Sequence, residues 1–382
     1  MKNILICTVG TSLFESNLKR LPENADKFPN TVPQNWKELF EAYQSSNWKV
    51  LAKELLKVDP TQRVCGAEIN AIEETCQKKW LSLEKLYFLV SDTPYGIHTG
   101  TVLTEYFKQR SDLKLKKDNV AYKKIDRLQD KVPKDFKTHG LRNLVRAIGE
   151  YLQRMGGTEN VAIDATGGYK AQIAIAVVIG QALNIPVYYK HERFSEIIDF
   201  PPMPVTLDYD ILAEHADILT DFERGEAFSA GELGEVSERL RVFLNEIDID
   251  GEPYYELNAI GQVYLTGFRL RYQQRIELAK VENRKSPTFR DDHYPKGFKD
   301  FVNKVWQENH WITTAHSVPY SGQAAIKDIG FKVMPQGEER HLIGTFQDEN
   351  QFGAKFRIRM PDESATKLAM AADRLNQKYR GS

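Results

Sequence analysis

Short apolar runs alternate with amphipathic ones over the first two hundred residues of the chain. Residues 3–9, 86–90, 161–164 and 187–190 are brief and nearly continuous in apolar character, the pattern of strands buried on both faces. Residues 103–109, 141–155 and 171–183 instead read as helices. Strands alternating with helices predict an α/β domain of Rossmann-like type. Pro201, Pro202 and Pro204 then stop regular structure. Beyond them, 208–223 and 233–244 read as helices, 253–257 as a short strand, and Asn258 as the cap of a long helix toward Val281. That order predicts a winged helix-turn-helix. After Arg284-Lys285-Ser286-Pro287 a small α+β unit begins. Residues 296–307 are amphipathic, with Phe298, Phe301, Val302 and Val305 at helical spacing, and 324–329 read as a second short helix. The period then changes to two, giving strands at 341–346 and 355–360 joined by a polar hairpin loop that ends at Gly353. The expected domains are 1–205, 206–283 and 284–382.

Two strand ends carry glycine turns. Val161-Ala162-Ile163-Asp164 leads through Ala165-Thr166-Gly167-Gly168-Tyr169 to Lys170 and an apolar helix, and the strand at 3–9 leads into Gly10-Thr11-Ser12-Leu13-Phe14. A turn without side chains lets a ligand approach the backbone, and the helix that follows offers free N–H groups. In a parallel sheet both turns fall at carboxyl ends of strands and line one crevice. The plain alternative is a pair of tight βα loops.

Net charge is −1 over 382 residues but is unevenly spread. Residues 208–283 carry 7 Lys/Arg against 17 Asp/Glu, a net of −10, and residues 284–382 carry 16 against 12, a net of +4. The middle segment therefore repels nucleic acid while the last can hold it. The apolar run 173–183 is about half the length a bilayer needs, so no membrane span is expected. No cleavage site for a signal peptide follows Met1, and Cys7, Cys65 and Cys76 show no metal-ligand spacing. A reduced, cytoplasmic protein is the expectation.

In the strand at 355–360, Lys355, Arg357 and Arg359 share one face and Phe356, Ile358 and Met360 the other. A solvated outer face is the simple reading. Three like charges in a row repel one another, however, and an anionic partner such as an RNA phosphate would relieve that.

Ile6-Cys7-Thr8-Val9-Gly10-Thr11-Ser12 and Asp164-Ala165-Thr166-Gly167-Gly168-Tyr169-Lys170 resemble the two motifs of CARF domains, the CRISPR-associated Rossmann-fold sensors of cyclic oligoadenylates. Cys65-Gly66-Ala67-Glu68-Ile69-Asn70 and Leu89-Val90-Ser91-Asp92-Thr93 fit one branch of that family. The resemblance covers about residues 1–205. It implies a cyclic oligoadenylate, with cyclic tetra-adenylate as the expected activator, bound by Gly10, Thr11, Ser12, Leu13, Asp92, Thr93, Thr166, Gly167, Gly168, Tyr169 and Lys170. A ring with two-fold symmetry implies one ring per homodimer.

The last unit is similar to the RelE family of ribosome-dependent mRNA interferases. That resemblance implies metal-free endoribonuclease chemistry: cations stabilise the charge on the transition state, and a base and an acid move protons. Arg357 and Arg359 match the family's strand arginines. Lys355, Arg340 and His341 are candidate members of the same patch, and Tyr379 and Arg380 are similar to its C-terminal polar residues. Other effectors fit less well. Arg290 and His293 are too close for a HEPN pair, the hairpin lacks the acidic and Glu-x-Lys set of restriction-type nucleases, and His310 and His316 lack a third metal ligand nearby. The expected function is a type III CRISPR ancillary effector, a CARF–RelE fusion with no cofactor beyond its activator, acting on mRNA. A transcription regulator binding DNA through the middle segment, or a ring nuclease degrading the cyclic oligoadenylate, are the alternatives.

Overall fold

A computed structural model describes residues 1–113, 115–191, 194, 196–204, 207, 209–233, 238–272, 277–290, 293–319, 329–337 and 339–380. The chain divides into two compact units, Met1–Thr206 with Asn258–Leu270, and Leu207–Leu257 with Arg271–Ser382. Residues 206–283, expected as a domain of their own, fall partly in each unit.

The first unit holds a six-stranded sheet. Its strands are β1 (Lys2–Thr8), β2 (Leu81–Val90), β3 (Val120–Lys124), β4 (Val161–Asp164), β5 (Val187–Tyr189) and β6 (Ile198–Phe200). Their order is β3-β2-β1-β4-β5-β6, parallel throughout except for β6, which pairs antiparallel with β5. β1 is an inner strand, and Leu5, Ile6 and Cys7 are fully buried, as its continuous apolar run requires. β2 starts five residues before the expected strand. Leu81 and Leu83 are buried and alternate with polar Ser82 and Glu84, a one-sided stretch that a search for continuous runs passes over.

Helices α1 (Trp36–Gln44), α2 (Trp48–Leu55), α3 (Ala67–Gln77), α4 (Pro94–Lys108), α5 (Leu141–Arg154) and α6 (Lys170–Leu183) surround the sheet. Their limits are set locally. Asn47 accepts the Val50 N–H to start α2, and Thr93 Oγ1 accepts the Gly96 N–H at 3.0 Å to start α4, where Pro94 holds the first position. Asn184, at φ 60°, ends α6 in the left-handed conformation. Leu39, Leu51 and Leu55 of α1 and α2 join the core with Leu13 and Phe14, although the alternation of runs does not bring out these two helices.

The second unit opens with α7 (Asp210–Glu214) and α8 (Ala216–Arg224), then β7 (Phe228–Ser229), α9 (Ala230–Leu233), α10 (Glu238–Arg241), β8 (Leu244–Ile249) and β9 (Glu252–Leu257). The three strands form an antiparallel sheet in the order β7-β9-β8. The helix expected over 233–244 ends early, at Arg241. Leu233 ends α9, 234–237 lie outside the described residues, and Leu244 already begins β8. The reason is the hairpin at Asp250-Gly251, where both φ angles are positive (55° and 86°) and Ile249 pairs with Glu252, so the preceding segment is drawn into a strand.

Asn258 caps α11 (Ala259–Tyr272) as expected, accepting the Gly261 N–H at 2.9 Å. This helix ends nine residues short of Val281, and its Asn258–Leu270 part belongs to the first unit. Arg146 of α5 donates to Gln262 at 2.9 Å, and a Cβ on Gly149 would stand 2.8 Å from Thr266 Cγ2, so α5 and α11 pack at close range.

The remaining elements are α12 (Phe298–Glu308), β10 (Thr314–Ser317), β11 (Gly330–Gln336), β12 (Glu339–Gln347), β13 (Gly353–Arg359) and α13 (Ala365–Tyr379). The four strands form an antiparallel sheet in the order β10-β13-β12-β11. Phe298, Val302 and Val305 of α12 are buried; Phe298 meets Phe356 with ring centres 5.9 Å apart, and Phe331 meets Phe356 at 6.0 Å. Asp348 shapes the β12–β13 loop by accepting the N–H groups of Asn350 and Phe352 at 2.9 and 3.0 Å. The helix expected over 324–329 lies outside the described residues apart from Ile329. Among the described residues no helix is long and apolar enough to cross a membrane.

Candidate functional site

The two glycine turns follow β1 and β4, which are neighbours in the sheet, and they touch. A Cβ on Gly10 would lie 2.9 Å from Gly168 N, and one on Gly167 would lie 2.5 Å from Gly10 N and 2.1 Å from Glu68 Oε1. Only glycine fits that spacing. Thr8 Oγ1 donates to the Gly167 carbonyl at 2.6 Å and stitches the turns together. Glu68, near the start of α3, accepts the Gly10 N–H at 2.8 Å while itself 1% exposed. Gly168 takes φ 106°, a conformation glycine adopts without strain.

Several N–H groups of the turns are therefore engaged inside the protein. Gly10 N–H is held by Glu68, Thr166 N–H by Asp164 Oδ1 at 3.0 Å, and Tyr169 N–H by Gln172 Oε1 at 3.3 Å. Gly167 and Gly168 N–H groups have no acceptor among the described residues, and Lys170 stands exposed at the first position of α6 without an ion-pair partner there. Those are groups an anion can take, and the Thr11, Ser12 and Leu13 N–H groups are likewise without an acceptor among the described residues. Thr11 Oγ1 donates to Glu15 at 2.7 Å, Ser12 precedes a helical turn at Leu13–Asn17, and the Leu13 side chain is core at 1% exposure. Of Leu13 only the backbone is left for a ligand to meet.

Asp92 and Thr93 lie at the end of β2, next to β1, and both have local work. Lys124 Nζ bonds Asp92 at 2.8 Å and holds its carboxyl below the usual range, and the Arg127 N–H adds a second bond at 3.0 Å. Thr93 caps α4. Their neighbour Tyr95 is 37% exposed and belongs to an aromatic group with Phe14, Trp48 and His98, which the motifs did not bring out.

Beneath the turns sit two buried carboxyl groups. Burial pushes Glu68 above the usual carboxylate range; burial first, and the Glu68 charge as well, push Asp164 up to about 7. Asp164 Oδ2 is buried without a hydrogen-bond partner.

In the second unit the β12–β13 register decides which cations share a face. Thr345 pairs with Lys355 and Ile343 with Arg357, so odd-numbered residues of β12 lie with the Lys355, Arg357 and Arg359 row. Arg340 is even-numbered, and its guanidinium is bound to Asp210 at 2.6 and 2.8 Å; it does not join the row. His341 has the right parity but is 4% exposed, with Nδ1 unpartnered and Nε2 3.6 Å from Glu339. Tyr379 and Arg380 are also taken up elsewhere. Tyr379 Oη donates to Glu308 at 2.7 Å, and Arg380 grips Asp221 at 2.6–2.7 Å.

The row gains members that the sequence pattern does not assign to it. β10 pairs with β13 so that His316 stands opposite Arg357 and Thr314 opposite Arg359. Thr288 Oγ1 lies 2.8 Å from His316 Nδ1, and the Arg290 N–H donates to Ser317 Oγ at 3.0 Å. Glu363 bonds Arg359 Nε at 2.9 Å and stands 3.6 Å from Arg357 Nη2. The Arg357 Nε and Nη2 atoms are nevertheless buried without a hydrogen-bond partner. These two N–H groups are one edge of the guanidinium fork, the edge that grips a phosphate or carboxylate with two parallel bonds.

Residues 63–203 match the model of a family described as CRISPR-associated protein (Cas_APE2256), a little over a third of the chain that includes Glu68 and the second glycine turn. A comparison with curated proteins gave no match. Among solved structures the chain is similar to Can2 from Sulfobacillus thermosulfidooxidans in complex with cyclic tetra-adenylate, at 8% identity over 90% of this chain and 74% of that one, with a TM-score of 0.25. A likeness of that size decides neither fold nor function.

Proposed function

We propose that the chain is a type III CRISPR ancillary effector in which a cyclic oligoadenylate, cyclic tetra-adenylate in the first instance, switches on cleavage of mRNA. The match of residues 63–203 to a CRISPR-associated family supports the cellular setting. The observation that carries the binding half is the meeting of the Gly10 and Gly167-Gly168 turns at adjacent parallel strand ends, beside exposed Lys170. Phosphates fit the Gly167 and Gly168 N–H groups and the Lys170 ammonium. Adenine rings suit an aromatic surface such as that around Tyr95. A two-fold symmetric ring calls for a homodimer, each subunit presenting both turns.

The nuclease half rests on the unsatisfied Arg357 edge beside Arg359 and Lys355. In the reaction we assign to it, the ribose 2′-oxygen attacks the adjacent phosphorus, and the guanidinium groups stabilise the charge that builds on the non-bridging oxygens. The RelE-like reading adds the ribosome as the setting in which mRNA is presented. The element order of residues 210–257 suits a winged helix, and its acidic charge favours a connector over a DNA reader. Incubating the purified chain with labelled mRNA, with and without ribosomes and with each cyclic oligoadenylate, tests both halves together. Cleavage that needs one ring species is the expected result. No cleavage in any combination, with tight binding of duplex DNA at physiological salt, would establish the regulator instead.

A further inference from the structure

We propose that His316 is the proton acceptor of the RNA-cleaving site, held for that role by Thr288 and set against the phosphate by Arg357. The proposal rests on the nuclease reading above and adds the group that this reading leaves without a residue. Three observations carry it. The antiparallel register of β10 and β13 places His316 directly across from Arg357, whose buried Nε–Nη2 edge has no hydrogen-bond partner and is the edge we assign to the phosphate. Thr288 Oγ1 lies 2.8 Å from His316 Nδ1. Its backbone is fixed on both sides, since Thr288 N–H donates to Ala315 at 2.9 Å and Ser317 N–H donates to the Thr288 carbonyl at 3.0 Å. With a proton on Nδ1 donated to Thr288, Nε2 is the lone-pair nitrogen. Thr288 is then a positioning residue that orients the ring and accepts the Nδ1 proton in the tautomer able to act as a base.

The charges around the ring favour a base. Arg290, Arg359 and Arg357 face it, with Glu363 bonded to Arg359 and 3.6 Å from Arg357, and Lys355 further along β13; Tyr294 donates to Ser317 on the neighbouring position. Burial, and then the three arginines, keep the imidazole below its ordinary range, so it is neutral near pH 7 and free to accept. A bound phosphate offsets the arginines as the proton arrives, which stabilises the imidazolium when it is needed.

The step balances without a co-reactant other than water. The 2′-oxygen forms its bond to phosphorus and gives its proton to His316 Nε2. The P–O5′ bond breaks with its electron pair on O5′, which takes a proton from water. A 2′,3′-cyclic phosphate and a 5′-hydroxyl result.

The test compares wild type, His316→Asn and Arg357→Ala as full chains, with ribosome-bound mRNA and cyclic tetra-adenylate, following single-turnover cleavage against pH. Asn keeps an amide near the Nδ1 position and lacks a basic nitrogen. His316→Asn is expected to lose about 10²–10⁴-fold in rate while binding a 2′-deoxy analogue of the cleavage site as wild type does. Its remaining activity is expected to lack the acidic limb of the wild-type pH profile. Arg357→Ala is expected to lose activity yet keep that limb. A His316→Asn rate within about threefold of wild type, or a surviving acidic limb, overturns the assignment of His316. If Arg357→Ala is still deficient in that case, the nuclease reading stands. Full activity in Arg357→Ala, or no cleavage by wild type, overturns the nuclease reading and the role of His316 with it.

Discussion

Glu68 Oε1 accepts the Gly10 N–H at 2.8 Å, which joins a helix residue to a turn 58 positions earlier in the chain. A buried N–H with its acceptor removed is destabilising by roughly 1–3 kcal/mol. Glu68→Ala is therefore expected to lower unfolding stability by about that amount. Glu68→Gln keeps an acceptor, and burial already disfavours the Glu68 charge, so this variant is expected to stay near wild type. Urea titrations of the three proteins check the order.

The contact between the turns makes a sharper case. A methyl group on Gly167 would overlap Glu68 Oε1 at 2.1 Å and Gly10 N at 2.5 Å, both parts of a fixed network. Gly167→Ala is expected to lose about 1–3 kcal/mol, the range for overpacking a tight site, and to spread the turns. Gly156, with nothing within 4 Å of its added Cβ but φ 77°, is a useful comparison. Gly156→Ala strains only the local backbone. Melting curves and cyclic tetra-adenylate binding, measured side by side, separate the two effects.

Asp164 gives a pH dependence of definite sign. Its carboxyl titrates near 7 in the folded protein against 3.8 as the ordinary value, so the folded state holds the proton more tightly. Its contribution to stability is complete below about pH 4 and is lost as pH rises toward and through 7. Asp164→Asn is expected to flatten this part of the profile and to be more stable than wild type at pH 8. Each pKa unit corresponds to about 1.4 kcal/mol, so an effect of a few kcal/mol is within range. Denaturation at pH 5, 6.5 and 8 gives the slope, and a wild-type slope unchanged in Asp164→Asn would contradict it.

Lys170 stands exposed at the start of α6, next to the Gly168 turn. A charge-assisted bond to phosphate is worth about 1.5–3 kcal/mol, and Lys170→Ala should weaken cyclic tetra-adenylate by that much. Calorimetry also gives the stoichiometry, where one ring for two chains is expected. Unchanged affinity, or one ring per chain, counts against the proposed site.

Arg359 differs from Arg357 in being more exposed, 44% against 22% at the side chain, and already bonded to Glu363. Loss of one transition-state donor lowers rates by about two to three orders of magnitude, which is the expectation for Arg357→Ala and for Arg359→Ala. Their folds should survive, since neither side chain fills the core. Because the proposed chemistry runs through side chains, cleavage should continue in EDTA and leave 2′,3′-cyclic phosphates. Loss of activity in EDTA, with 5′-phosphate products, would point to a metal-dependent nuclease.

The strands at the site were legible because burial on both faces writes itself as a continuous apolar run, as in Ile4-Leu5-Ile6-Cys7 and Val161-Ala162-Ile163. Their carboxyl ends, and with them Gly10 and Gly167, followed from that. Glu68 was not legible as a partner of Gly10, because a glutamate in the first turn of a helix is usually solvated and nothing local marks it as buried. Arg340 and His341 are adjacent in sequence, and period two separates them only once the hairpin register is known. His316 lies on a four-residue strand some forty positions before Arg357, too short to show alternation, so its place depends on a pairing between distant segments.

The last helix has one more implication. α13 packs on α7 and α8, and Arg380 at its end closes on Asp221 of α8 with a further bond to the Ile329 carbonyl at 2.8 Å. A fragment cut at residue 284 would keep α13 and lose the two helices that pack on it, baring the packing surface and leaving the Arg380 guanidinium without its Asp221 carboxylate. The basic portion is therefore not a cassette that recombination can move by itself. Any exchange of the C-terminal portion between such chains has to carry residues 210–224 along with it, or redesign the face of α13 at the same time.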